Sequence, residues 1–197
     1  FSHGPEEHLA RMGCAPLRAA GQPRILLGGL GLGYTLAAAT RALPQKRATF
    51  VVAELIPELA EWNRQHLADL HPGLWKDPRI RVNTASVCEI MRETAEGYHA
   101  ILLDTANGPE ACSGAASDDP YTPDGLRIAA DALKEGGLLA VWSATKDPSL
   151  EKRLRNAGLD VTRESVPAVN KGKQKRHHSI WLARKGTYQS QHQRRSQ

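Results

Sequence analysis

A short apolar run leads directly into a cluster of glycines near the start of the chain. Residues 25–27 are Ile-Leu-Leu, and four glycines follow within six positions, at Gly28, Gly29, Gly31 and Gly33. The next segment, 34–43, is rich in Ala and Leu and stops before Pro44. This order predicts a buried strand, a glycine turn and a helix. Glycines at such a turn allow positive φ and let the backbone approach a ligand closely.

A second apolar run, 49–53, ends on Glu54, about 20 residues beyond the last glycine. A carboxylate at the end of the second strand can accept hydrogen bonds from both hydroxyls of a ribose. The glycines at 29–33 form G-x-G-x-G, which is shorter than the G-x-G-x-x-G that suits a pyrophosphate. The pattern therefore favours a nucleoside without pyrophosphate, such as S-adenosylmethionine. A tight structural turn would explain the glycines alone, but it would not explain Glu54.

Composition predicts one α/β domain of 197 residues with a net charge of +5. The basic excess lies late, in 171–176 and 194–195, where it predicts solvated surface more than a nucleic-acid partner. No segment approaches the ~20 apolar residues of a membrane span. Three cysteines without C-x-x-C spacing indicate neither a disulfide framework nor a metal site, and they favour a cytoplasmic location. The sequence begins at Phe1, so a missing upstream portion is an open alternative.

Further candidate site residues follow the third and fourth predicted strands. The run 98–103 is continuous and apolar, as in a central parallel strand, and Asp104 and Asn107 come directly after it. Because ligands of open α/β sheets bind at the carboxyl ends of the strands, both should face the same cleft as Glu54. The third strand, 79–84, is followed by Ala85 and Ser86, whose hydroxyl could bond an adenine edge.

Three other side chains are candidates for contacting substrate. The lead-in segment 1–22 predicts a short helix, from which Glu7 and His8, beside Glu6, could reach the charged end of a ligand. Packing of this helix on the sheet is the simpler alternative. The polar loop 111–123 resembles a lid that Tyr121 closes. The predicted organisation is a lead-in at 1–22, a nucleoside-binding domain at 23–185 and a disordered polar tail at 186–197. Trp62, on the helix that Pro57 begins, is expected to pack inward.

Five segments together resemble the spermidine synthase family, and more narrowly its branch of the class I S-adenosylmethionine-dependent methyltransferase fold. They are residues 25–33, 51–55, 101–104, 121–126 and 136–141. The resemblance implies an α/β, Rossmann-like, seven-stranded and mostly parallel sheet with an antiparallel C-terminal strand pair. It also implies S-adenosylmethionine or its decarboxylated form as donor, no metal and a small-molecule acceptor such as an amine. A homodimer is an open alternative.

By this resemblance Glu54 would hold the ribose and Asp104 would lie near the charged end of the donor. The family carries a second Asp after the fourth strand, expected to activate the amine, and this chain has Asn107 there. An amide cannot take that proton. The family's third-strand Asp is replaced at Ser86, and its small N-terminal β-domain is not represented in these 197 residues. Methyl transfer to an acceptor that is already nucleophilic tolerates these changes better than aminopropyl transfer.

The sequence leaves four functions open, led by an S-adenosylmethionine-type transferase. The second is a true spermidine synthase that uses Asp104 alone. The third is a nucleoside-binding protein that has lost catalysis, which Asn107 and Ser86 would favour. The fourth, nucleic-acid methylation, is disfavoured because residues 104–107 lack the Pro-Pro-aromatic motif that presents a flipped base.

Overall fold

The computed structural model describes residues 4–104, 118–143, 147–167 and 177–186. Six α-helices lie in these ranges: α1 Pro5–Cys14, α2 Tyr34–Ala42, α3 Pro57–His66, α4 Val87–Arg92, α5 Pro123–Ala132 and α6 Pro148–Asn156. Seven strands alternate with them: β1 Arg24–Gly28, β2 Thr49–Ala53, β3 Ile80–Asn83, β4 Tyr98–Leu103, β5 Leu133–Ser143, β6 Asp160–Pro167 and β7 His177–Arg184. Within the described residues, no helix is long and apolar enough to cross a membrane.

The strands form one twisted sheet in the order β3-β2-β1-β4-β5-β7-β6. Neighbouring strands among β1 to β5 are parallel, whereas β7 is antiparallel to both β5 and β6. This architecture confirms the predicted fold class, including the C-terminal antiparallel pair. The order reverses direction between β1 and β4, which places a crevice at their carboxyl ends.

Two apolar layers enclose the sheet, one on each face. Because successive side chains of a strand point to opposite faces, Ile25 and Leu27 of β1 pack on one side and Leu26 on the other. The first layer contains α1 and α2 residues such as Leu9 and Leu36, and the second contains residues of α4, α5 and α6. Each fully buried Leu or Ile contributes about 1.5–3 kcal/mol to folding. The predicted lead-in helix is therefore part of the core.

One strand is unusually long, and one expectation about a side chain was wrong. Strand β5 extends back to Leu133, directly after α5. Gly136 allows this extension because it adopts a φ of 76° inside the strand. Trp62 does not pack inward, since 62% of its surface is exposed. The inward face of α3 instead buries Ala60 and the amide side chain of Asn63.

Several predicted features lie outside the described residues. These are Asn107, most of the proposed lid (111–117), the basic segment 171–176 and the tail beyond residue 186. The proposed division into lead-in, domain and tail likewise stays a prediction.

Candidate functional site

A cavity of about 710 Å³ opens at the carboxyl ends of the first four strands. The segment after each strand contributes to its wall: Gly28 to Leu32 after β1, Ala53 to Ile56 after β2, Ala85 and Val87 after β3, and Asp104 after β4. Glu6 of α1 and Thr35 of α2 also line the cavity. The crevice expected from the sheet order is therefore a cavity large enough for a nucleoside-sized ligand.

The glycine turn forms the floor of this cavity through its backbone conformation. Gly31 has a φ of 50°, and a Cβ built on it would meet no atom within 4 Å. Gly33 has a φ of 82° and caps the N-terminus of α2. Residues with side chains rarely adopt such φ values, so the turn depends on glycine at both positions. Of the predicted glycines, Gly28, Gly29 and Gly31 line the cavity, and Gly33 packs behind it.

Glu54 joins the glycine turn to the end of β2. Its side-chain oxygens accept hydrogen bonds from the backbone N–H of Leu30 at 3.0 Å and of Ile56 at 2.9 Å. The residue is only 7% exposed, yet it lines the cavity. A carboxylate has about four acceptor positions, so two such bonds leave capacity for ligand hydroxyls. The carboxylate is thus held in one orientation before any ligand binds.

Asp104 lies at the opposite end of the cavity from the segment after β3. Its carboxylate accepts a hydrogen bond from the Thr35 hydroxyl, and its backbone N–H donates to Gly28 O at 3.2 Å. Burial raises the pKa of the Asp104 carboxyl above its usual range; the Thr35 hydrogen bond opposes this effect, and the nearby Glu6 adds to it. Two carboxyl side chains therefore face one end of the cavity. Such a site attracts cationic groups.

The segment after β3 presents apolar side chains to the cavity. Ala85 and Val87 line it, whereas Ser86 between them does not. The Ser86 hydroxyl accepts a hydrogen bond from the Glu89 N–H at 3.0 Å, and the Glu89 carboxylate accepts one from the Ser86 N–H. Ser86 is the N-cap of α4 in a capping box. The structure thus places the predicted adenine-binding hydroxyl in helix capping.

The three predicted substrate or lid residues lie away from this cavity. Glu7 and His8 line a separate groove of about 340 Å³ between α1 and α2, where Glu7 pairs with Arg41 at 3.0 Å. Their neighbour Glu6 faces the main cavity instead. Tyr121 is 2% exposed and packs in the core near α5. A helix turns successive side chains by about 100°, which explains why Glu6 and Glu7 face different cavities.

Three polar residues around the site were not predicted from the sequence. Thr35 bonds Asp104, while Asn63 and His71 bond backbone carbonyls of the glycine turn. The only sequence signal for Asn63 was its position on the face of α3 that also holds Ala60. Among the described residues, no three His, Cys, Asp or Glu side chains are grouped to hold a metal ion.

No protein-family model matches the sequence. The chain is similar to a polyamine aminopropyltransferase of Synechococcus sp. (strain JA-3-3Ab), with 32% identity over 97 residues. The match covers 48% of this chain and 30% of that enzyme. The predicted resemblance to the spermidine synthase family is therefore confirmed. This chain spans less than a third of the length of that relative.

Solved structures share the fold at low sequence identity. The spermidine synthase from Thermotoga maritima has a TM-score of 0.67 at 18% identity, covering 94% of this chain and 62% of that one. Precorrin-6y C5,15-methyltransferase from Geobacter metallireducens has a TM-score of 0.65 at 15% identity, covering 91% of this chain and 88% of that one. The fold is thus common to proteins with both names, and it does not distinguish between their reactions.

Proposed function

We propose that this protein is an S-adenosylmethionine-type group transferase acting on a small-molecule acceptor. The observation that carries the proposal is the Glu54 carboxylate, which is fixed by the N–H of Leu30 and faces the cavity. A turn without side chains and an oriented carboxylate provide a floor and two acceptor atoms for a ribose. The similarity to a protein named a polyamine aminopropyltransferase supports the same class of reaction.

The two ends of the cavity fit different parts of a sulfonium nucleoside. The apolar wall of Ala85, Val87 and Leu55 suits a purine ring, and Glu54 lies next to it at the end of β2. The absence of a Cβ at Gly31 leaves open space above the turn. Asp104 and Glu6 then lie where the positively charged part of the donor would extend.

The donor, when bound, supplies an electrophilic carbon and a neutral thioether as leaving group. A lone pair on the acceptor forms the new bond to that carbon as the carbon–sulfur bond breaks. The described residues contribute to this step by position and charge: Glu54 orients the nucleoside, and Asp104 favours the cationic end. Among the residues that the structure describes, Asp104 is also placed to accept a proton that the acceptor releases. Its raised pKa makes it a better base than an ordinary carboxylate.

Aminopropyl transfer is the second candidate, and a specific observation favours it. Glu6 and Asp104 face the cavity together, and a pair of carboxylates suits an amine or a decarboxylated donor better than a donor that carries its own carboxylate. Asn107, which would bear on this choice, lies outside the described residues.

Calorimetric titration with S-adenosylmethionine, decarboxylated S-adenosylmethionine and methylthioadenosine tests the proposal. We expect at least one to bind the wild-type protein, and we expect binding to be lost in Glu54→Ala. The matched control is Glu58→Ala, which removes an exposed carboxylate from the first turn of α3. Preference for the decarboxylated donor would select aminopropyl transfer. If none of the three ligands binds, the transferase proposal is wrong.

A further inference from the structure

A buried side-chain amide contacts the glycine turn from behind. Asn63 is 1% exposed, and its Nδ2 donates to Gly31 O at 3.0 Å and to Leu59 O at 2.9 Å. The first bond joins α3 to the turn, and the second joins the same amide to the preceding turn of its own helix. Asn63 therefore fixes the turn to a helix that is anchored in the core through Ala60.

A histidine contacts the next carbonyl of the same turn. His71 follows α3 and is 7% exposed; its Nε2 lies 3.0 Å from Leu32 O. At this distance from a carbonyl, Nε2 is the protonated nitrogen and donates. The His71 ring also meets the Tyr34 ring edge to face, with 4.8 Å between centroids. Two consecutive peptide units of the turn, Gly31–Leu32 and Leu32–Gly33, are thus held by buried donors.

Gly33 shows how closely these two side chains enclose the turn. A Cβ built on Gly33 would lie 3.2 Å from His71 Cδ2 and 3.3 Å from Asn63 Oδ1. The same test at Gly31 finds open space on the cavity side. The turn is therefore packed against Asn63 and His71 on one side and open to the cavity on the other. The carbonyls of Gly31 and Leu32 point to the protein, and the open side of the turn is left for a ligand.

We infer that Asn63 is a positioning residue for ligand binding, with His71 as its second point of support. By fixing the Gly31 carbonyl, Asn63 holds one end of the short turn whose other end carries the Leu30 N–H that orients Glu54. A mobile turn would have to be ordered at the moment of binding, at a cost in affinity. This inference rests on the proposed function for its ligand, although the ordering of the turn can be measured without one.

The chain offers a matched control for the loss of such an amide. Gln45 Nε2 also donates to backbone carbonyls, those of Leu17 and Arg18 at 3.0 Å and of Ala20 at 3.2 Å. Gln45 is not among the residues that line the cavity. Both Asn63→Asp and Gln45→Glu exchange a donating amide for a carboxyl of almost equal size. Both should lower stability, because each leaves backbone carbonyls without their donor, and the loss should be larger at buried Asn63 than at half-buried Gln45.

The two variants are compared in two measurements, methylthioadenosine affinity by calorimetry and amide hydrogen exchange of the free protein. We expect Asn63→Asp to weaken binding about tenfold, as the loss of one buried hydrogen bond would, and Gln45→Glu to change it less than about twofold. Exchange at residues 29–34 should accelerate in Asn63→Asp and stay at the wild-type rate in Gln45→Glu. If Asn63→Asp does not fold, Asn63→Ala provides the same comparison.

Each outcome decides the inference. Equal affinities in the two variants, or unchanged exchange at residues 29–34 in the Asn63 variant, would overturn it. If the wild-type protein binds no nucleoside, the proposed function fails, and exchange alone then decides whether Asn63 orders the turn. Faster exchange confined to α3, with the turn unchanged, would show that Asn63 serves only its own helix through Leu59.

Discussion

The two ends of the cavity hold their carboxylates in opposite ways. At one end, Glu54 accepts hydrogen bonds from two backbone N–H groups, both at 3.0 Å or less. At the other end, Asp104 has the hydroxyl of Thr35 as a partner and the like charge of Glu6 nearby. Backbone donors cannot move away or change charge, whereas the environment of Asp104 depends on side chains of two separate helices. The orientation of Glu54 is therefore fixed by the backbone, whereas the ionisation of Asp104 depends on neighbouring side chains.

This difference connects stability to function in a specific way. The bonds to Glu54 stabilise the folded protein and orient the carboxylate at the same time. Asp104 instead has a raised pKa, so its ionised form is less stable in the folded protein than in the unfolded chain. Functional sites commonly retain such unfavourable groups because a ligand of opposite charge offsets the cost.

The largest expected effect is on ligand binding in Glu54→Gln. Glutamine has almost the size of glutamate, but an N–H₂ group replaces one of the two oxygens. That group cannot accept the hydrogen bond from the backbone N–H of Leu30 or Ile56 that it faces. We expect affinity for all three nucleosides to fall together by about 30- to 100-fold, because all of them share the ribose. Calorimetric titration of the variant and the wild-type protein measures these three affinities. A loss confined to one of the three ligands would contradict the assignment of Glu54 to the shared nucleoside part.

Asp104→Asn should instead separate the ligands by charge. We expect the two sulfonium donors to bind about tenfold more weakly, while neutral methylthioadenosine changes less than about twofold. The same calorimetric series measures both values. Equal loss for all three ligands would mean that Asp104 acts on the shared nucleoside, as Glu54 does, and the contrast between the two ends would disappear.

The stabilities of these two variants should change in opposite directions. Glu54→Gln should lower stability by about 1–3 kcal/mol, since it leaves a buried N–H without its acceptor. Asp104→Asn should raise Tm at pH 7 by about 2–4 °C, which corresponds to about 1 kcal/mol in a chain of this size. Thermal unfolding monitored by circular dichroism measures both changes. A lower Tm for Asp104→Asn at pH 7 would refute the view that ionised Asp104 is unfavourable.

The gain in Asp104→Asn should also depend on pH in a defined sense. Because the folded-state pKa of Asp104 lies above the unfolded value, the wild-type protein has no penalty below the unfolded pKa. The penalty develops as pH rises through the folded-state pKa. The difference in Tm between variant and wild type should therefore be largest near neutral pH and shrink on acidification. A difference that grows as the pH falls would have the wrong sign.

Glu6→Gln should have the smallest effect. Removing this carboxyl lowers the pKa of Asp104, so the preference for charged donors over methylthioadenosine should persist to lower pH. Near neutral pH we expect less than about a twofold change in affinity, because two charges at a partly solvated site interact weakly. Calorimetry over a series of pH values from acidic to neutral measures the midpoint, with Glu7→Gln as the control from the neighbouring groove. An equal shift in both variants would exclude a specific role for Glu6.

Local sequence was sufficient to place Glu54 beside the glycine turn. The strand, glycine turn and Glu54 lie within one βαβ unit, so short-range patterns predict their order and the edge of the sheet where they meet. The pattern did not show that Ser86 caps α4, because the serine of a capping box and a serine that contacts a ligand have the same local sequence. The pattern also did not show that Glu6 rather than Glu7 lines the main cavity, because this depends on how α1 is rotated against the sheet.

The sequence by itself determined the fold class and the position of the cavity, because hydrophobic periodicity, glycine and the end of each strand are local properties of the chain. Tertiary structure alone decided which side chains share that cavity. Thr35 meets Asp104 across 69 positions, and Asn63 meets Gly31 across 32. Such contacts depend on the packing of α1, α2 and α3 on the sheet. Packing orients each helix through many weak contacts at once, and no short segment of sequence records the result.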